Sequence, residues 1–204
     1  MTSPMDSPRR RPKGDKRART RAKILEAAAQ LVWEKGYEHT TMQEVARRAG
    51  VSNGAIYGNF KDREAVLAEL GPTYWPRVRV QVERGASFAE IMQAMAEALI
   101  AVLPERRRLV RSRLAGLAYA FANEALLARS RDNGARAHAA AVAWWRDIID
   151  EDELPMPVET LVSVLAALLE GLSIQSALTP GLVPDDAIRA AFAALAAGPA
   201  GPAD

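Results

Sequence analysis

Gly50-Val51-Ser52-Asn53-Gly54 is the stretch whose residue types and spacing could carry out a reaction. Its G-x-S-x-G pattern is that of the elbow mounting a nucleophilic serine between a strand and a helix. The same residues suit the turn of a helix-turn-helix, where glycine closes one helix and serine caps the next. The first reading needs a strand before Ser52 and a histidine base, held by a carboxylate, after it. The second needs a short helix on each side and basic surroundings. The chain has no cysteine, which removes disulfides, thiolate metal sites and cysteine nucleophiles. Its two histidines, His39 and His138, lie far apart on differently patterned segments. No metal site and no cofactor are expected, and His138, in an alanine-rich helical pattern, is a poor base for Ser52.

Charge is unevenly placed. Net charge over the 204 residues is +2, yet residues 1–61 hold 13 Lys+Arg against 6 Asp+Glu, and the remainder is acidic. A basic head on an acidic body points to a polyanionic partner for the head, a solvated tail being the other reading. Hydrophobic residues make up 49%, a globular composition. The stretch Leu161–Leu178 is interrupted by Ser163, Glu170, Ser173, Gln175 and Ser176, so no membrane span is expected and a cytoplasmic location is.

The elements that must position Ser52 are helices. Residues 1–15 read as a disordered basic arm. Ile24, Leu25, Ala28, Leu31 and Val32 recur at helical spacing from Lys16 to about Gly36, with Arg17, Arg19, Arg21 and Lys23 near the start, where they oppose the helix dipole at a small cost that phosphate contact would offset. Thr41-Met-Gln-Glu44 reads as a capping box opening a helix whose Met42, Val45, Ala46 and Ala49 face inward. Gly50 suits a left-handed helix stop, Val51 an apolar anchor and Ser52 the cap of a short helix, Asn53 to Asn59, that buries Ile56 and Phe60. On a recognition helix Ser52, Asn53, Gly54 and Ala55 meet base edges, while Tyr57, Asn59, Lys61 and Arg63 hold phosphates. A further helix carries Val66, Leu67 and Leu70, and Gly71-Pro72 with Pro76 predicts a break between Leu70 and Arg77.

Beyond the break the pattern stays helical: Ser87 to about Leu103, Pro104 to about Arg129, Gly134 to Ile149, Pro157 to Leu178 and Pro184 to Ala197, with residues 198–204 a frayed tail. No segment is read as alternating with period two, so an all-α fold is expected. It divides into a helix-turn-helix DNA-binding domain at 16–70 and a helical body at 71–197.

At these residues the chain resembles the TetR family of bacterial transcriptional regulators. The resemblance covers Thr20 to Leu70, "TRAKILEAAAQLVWEKGYEHTTMQEVARRAGVSNGAIYGNFKDREAVLAEL". It rests on the Glu34–Tyr37 turn, the Thr-initiated second helix, the Ala-Gly-Val-Ser turn and the Tyr57–Lys61 ending. It implies a homodimeric repressor of a palindromic double-stranded DNA operator, released by a small-molecule inducer and without enzymatic activity. It places Thr41, Gln43, Ser52, Asn53, Gly54, Ala55, Tyr57, Asn59 and Lys61 on the DNA face. Asn53 departs from a common Lys or Arg, and Gly58 from a larger residue. The last two long helices would pair with a partner copy through Leu161, Val164, Leu165, Leu168, Leu172, Ile188, Phe192 and Leu195. Trp75, Phe88, Met92, Met95, Tyr119, Phe121 and Trp144 are candidates for a mostly apolar inducer pocket, with Tyr74 and Trp145 nearby and Arg111, Arg113 or Asn123 to orient a polar group. The alternatives are a serine hydrolase built on Ser52 and an architectural protein binding DNA without sequence preference.

Overall fold

Lys13–Lys35 forms a 23-residue helix, α1, at the start of residues 13–197, the part of the chain that the computed structural model describes, with side chains from residue 16. The helix begins three residues before the expected start; the rest of the expected arm and the 198–204 tail lie outside the described residues. Met42–Ala49 (α2) and Asn53–Asn59 (α3) follow, with Thr41, Gly50 and Ser52 as the caps that the sequence nominates, and then Arg63–Tyr74 (α4). Ile24, Ala28, Leu31, Val45, Ile56, Phe60, Val66 and Leu67 close into one small core. Chain contacts divide the molecule into two units, at residues 1–72 and 73–204.

α4 runs through Gly71-Pro72 and stops at Tyr74. The expected break therefore falls late in its window. Gly71 has no Cβ to clash with the Pro72 ring, whereas Trp75 before Pro76 is pushed out of the helical region.

The second unit holds Phe88–Ala122 (α5), Glu124–Ile148 (α6), Val158–Leu178 (α7) and Asp185–Ala196 (α8), with 3-10 turns at Glu151–Glu153 and Pro180–Leu182. Ser87 opens α5 with a complete capping box to Glu90. The expected boundaries inside 103–134 are wrong. Pro104 sits within a continuous α5, its ring at an exposed position, between the buried Leu103 and Arg106. Core packing on both sides offsets the lost backbone bond. The chain breaks instead at Asn123, whose extended backbone ends α5 and whose Oδ1 accepts from the Leu126 amide at 2.9 Å. Gly134 lies inside α6.

Ile91, Met92, Leu99, Leu103, Val158, Leu161, Ile188 and Phe192 are almost fully buried and form the centre of this unit. Residues 77–83, Arg-Val-Arg-Val-Gln-Val-Glu, alternate with period two, contrary to the expectation of none. Val78, Val80 and Val82 pack on the helices and the polar residues face outward. The segment has no strand partner, so no sheet forms among the described residues. By length and composition α7 is long and apolar enough to span a membrane, which the broken apolar run did not lead one to expect. Its Leu161 and Leu165 instead pack into this core.

Candidate nucleic-acid interface

Backbone geometry settles the role of the Gly-Val-Ser-Asn-Gly stretch. Gly50 has φ 64° and ψ 36°, the left-handed conformation that glycine adopts without a Cβ clash. The Val51 amide donates to the Ala46 carbonyl at 3.0 Å, closing α2 in a glycine-terminated stop. Ser52 is extended, and its Oγ accepts from the Ala55 amide at 3.2 Å, which caps α3. A helix precedes Gly50, so the strand that a nucleophile elbow requires is missing at this place.

The two helices are held by short polar clamps. Thr41 caps α2, accepting from the Glu44 amide at 3.3 Å. The Glu44 carboxylate takes the Lys35 ammonium and the Thr41 hydroxyl, and these two hydrogen bonds hold its pKa down at about 2. Arg63 reaches back to the Thr40 carbonyl at 2.6 Å and to that of Tyr37, tying the start of α4 to the turn before α2. Arg21 donates to the Asn59 carbonyl at 2.7 Å, pairs with Glu69 and lies 4.0 Å above the Phe60 ring. A cation at the carbonyl end of α3 complements the helix dipole. Arg21 and Arg63, expected to touch phosphate, therefore position helices instead. Nothing in their local sequence distinguishes a clamping arginine from a solvated one.

Most of the expected DNA-face residues stand in solvent. Thr41, Gln43, Ser52, Asn53, Gly54, Tyr57 and Lys61 are exposed, Tyr57 at 56%, and Ala55 is half-buried. Along α3 Gly54, Tyr57 and Gly58 share the side opposite Ile56, the buried anchor. Asn59 departs from the expectation. Its Nδ2 donates to the Ala55 carbonyl at 2.8 Å, and its Oδ1 is buried without a partner. It belongs to the inner side of α3 and is not placed to hold a phosphate.

The residues nominated for a ligand pocket scatter. Phe88, Met92 and Met95 are packed into the core of the second unit. Trp145 is buried and meets Trp144 edge-on at 5.3 Å, which leaves Trp144 half-covered. Tyr119 is half-buried, Phe121 is 73% exposed, and Trp75 lies beneath two arginines. Asn123 is engaged as the cap of α6, and Arg113 binds Glu170. Of the residues assigned to a partner copy, Leu161, Leu165, Ile188 and Phe192 are 0–3% exposed within the single chain and have no surface left to offer. The amphipathic pattern marked them as apolar but could not say which apolar face the chain itself covers. Val164, Leu168, Leu172 and Leu195 remain partly open.

Comparison with known proteins bears on both units. The family model for bacterial regulatory proteins of the tetR family matches residues 24–70. The model described as the C-terminal part of BetI-type transcriptional repressors matches residues 88–198. The HTH-type transcriptional regulator AcrR of Shigella flexneri is 35% identical over 98 residues, 45% of this chain and 46% of that one. The uncharacterized regulator YvkB of Bacillus subtilis (strain 168) is 43% identical over 51 residues, 25% of this chain and 27% of its own. The chain thus spans less than half the length of these curated relatives. Among solved structures, Salmonella enterica GusR aligns with a TM-score of 0.62 at 24% identity, covering 87% of this chain and 95% of that one. NalD of Pseudomonas aeruginosa aligns at 0.54 and 21%, covering 86% and 93%. At these identities the structural likeness concerns the fold.

Proposed function

Because this chain belongs to the TetR family of bacterial regulatory proteins and is a DNA-binding transcriptional regulator, we propose that it acts as a ligand-responsive repressor, binding a palindromic operator as a homodimer. The observation that carries the reading is the α2–α3 pair. A left-handed glycine stop and a serine cap present Ser52, Asn53, Gly54 and Tyr57 outward from a helix whose opposite side, Ile56, is fully buried. Such a helix can enter a major groove, its early residues at base edges. Thr41, Gln43, Ala55 and Lys61 flank it, Lys61 supplying a phosphate contact. Asn59 is withdrawn from the set.

The dimer reading is supported by what α7 and α8 leave uncovered. Thr160, Ser163, Ala166, Ala167 and Gly171 of α7, and Ala187, Ala190, Ala193 and Ala194 of α8, are exposed, with Val164, Leu168, Leu172 and Leu195 half-covered beside them. Small residues on these two consecutive helices, both packed on α5, permit close approach of a second pair, and the apolar α7 gains most by it. Two copies would set their recognition helices about one DNA turn, roughly 34–36 Å, apart. A ligand in the body would act only through its differential affinity for the bound and released forms.

The test is fluorescence anisotropy against the best duplex selected from a random library, with random DNA as competitor. Tight, palindrome-dependent binding that survives competition is expected. Equal affinity for all sequences would replace the regulator with an architectural DNA-binding protein. Sedimentation showing only monomer at micromolar concentration would remove the dimer.

A further inference from the structure

Among the described residues, Arg106 of α5 is the charged side chain that the second unit takes into its interior, with 5% of the residue exposed. Its Nε and Nη2 donate to the Pro76 carbonyl at 2.9 and 2.8 Å, and its Nη1 donates to Ser173 Oγ at 2.7 Å. The guanidinium lies 5.0 Å from the centroid of the Trp75 ring. Every one of these partners is uncharged. Arg113, two turns further along α5, stands 5.6 Å from the same ring and donates to Glu170 of α7 at 2.8 Å. Two guanidiniums thus converge on one indole, and the carboxylate of Glu170 is bonded to Arg113 alone of the two.

This arrangement is electrostatically incomplete. Burial pushes the pKa of Arg106 down, and the nearby charge of Arg113 adds to the effect against the pull of Glu170. A buried cation is costly unless an anion compensates it. Arg106 donates through three of its N–H groups, while a guanidinium carries five in a fork that matches a carboxylate. The cluster opens outward on the side of Arg113 and Glu170, whose side chains are 28% and 30% exposed. Apolar surface adjoins it, since the Trp75 ring that both guanidiniums face is only partly covered.

We propose that Trp75, Arg106 and Arg113 form the acid-recognising end of a ligand site in the body, taking a small organic carboxylate with an apolar body. The proposal rests on the ligand-responsive reading above and names its ligand class. The ligand carboxylate replaces Glu170 on Arg113 and reaches the N–H groups of Arg106 that lack a protein acceptor. Two like charges exclude a cationic ligand from the same place. Arg106 also anchors the Pro76 carbonyl, two residues past the end of α4 at Tyr74, so an anion that draws on Arg106 alters that anchor.

The experiment is isothermal titration of the full-length protein with benzoate, with neutral benzamide and with cationic benzylamine. Benzoate is expected to bind at least about tenfold more tightly than either analogue, a charge-assisted bidentate pair being worth that much. Arg113→Gln should weaken benzoate about tenfold. Glu170→Gln should tighten it several-fold by removing the competing carboxylate. That gain is the decisive readout, because a variant that merely damaged the fold would not bind more tightly. Benzoate binding no better than benzamide, or Glu170→Gln failing to tighten it, overturns the site. Release of operator DNA is measured separately. Benzoate that binds as described yet leaves DNA binding unchanged supports the anion site and counts against the ligand-responsive reading.

Discussion

Replacing Gly54 by alanine should stabilise the free protein and weaken its hold on DNA. Gly54 is the second residue of α3, does not have positive φ, and a Cβ built there meets only Ser52 Oγ, at 4.0 Å. The free protein therefore has no steric use for a glycine at this position. Alanine in a helix is favoured over glycine by about 0.5–1 kcal/mol, through backbone entropy of the unfolded chain. For a chain of this size that raises the melting temperature by roughly 1–4 °C. In the proposed complex the added methyl would stand where the backbone of the recognition helix comes closest to the duplex, and displacing one base-edge contact would cost about 1–3 kcal/mol, at least about fivefold in affinity. Thermal melting read by circular dichroism and anisotropy titration of the selected operator measure the two effects independently. Opposite signs are the signature. A Gly54→Ala protein that binds its operator as tightly as the parent would refute the close approach, and one that melts lower would refute the geometry assigned to the start of α3.

Lys61→Ala should weaken binding to all DNA sequences alike and reduce the slope of log K against log salt by about 0.9, the release of one counterion. The carboxylate of Glu44, held near pH 2 by Lys35 and Thr41, favours the folded state fully above its ordinary pKa of 4.5 and progressively less as pH falls toward about 2. Melting curves should accordingly show Glu44→Gln less stable than the parent at pH 7, with the difference shrinking below pH 4.5 and gone only below about pH 2. Asn123→Ala should cost about 1 kcal/mol in urea denaturation through loss of the α6 cap. Ala167→Glu on the exposed side of α7 should yield monomers in sedimentation while circular dichroism keeps its helical signal; a dimer persisting in that variant would place the interface elsewhere.

The helix-turn-helix was legible because its determinants are local. Thr41, Gly50 and Ser52 each satisfy backbone groups within five residues of themselves, so residue type and spacing state the geometry almost completely. Pro104 and Asn123 were not legible in the same way. A proline inside a helix is tolerated when buried side chains on both sides outweigh one lost bond, and that balance is set by α7 and α8, far away in sequence. Residues 77–83 alternate like a strand, but with no second strand beside them the alternation records only which side lies on the helices.

What the sequence determined by itself was the all-helical architecture, the turn at Gly50 and the exposed start of α3, because caps, periodicity and charge act over a few residues. Only the tertiary structure decided which arginines clamp and which stay in solvent, which way Asn59 turns, and which apolar face of α7 the chain covers with its own helices. Arg21, Arg63 and Arg106 look alike as letters. Their roles follow from the carbonyls and rings that folding brings within reach, from 23 to 67 residues away along the chain.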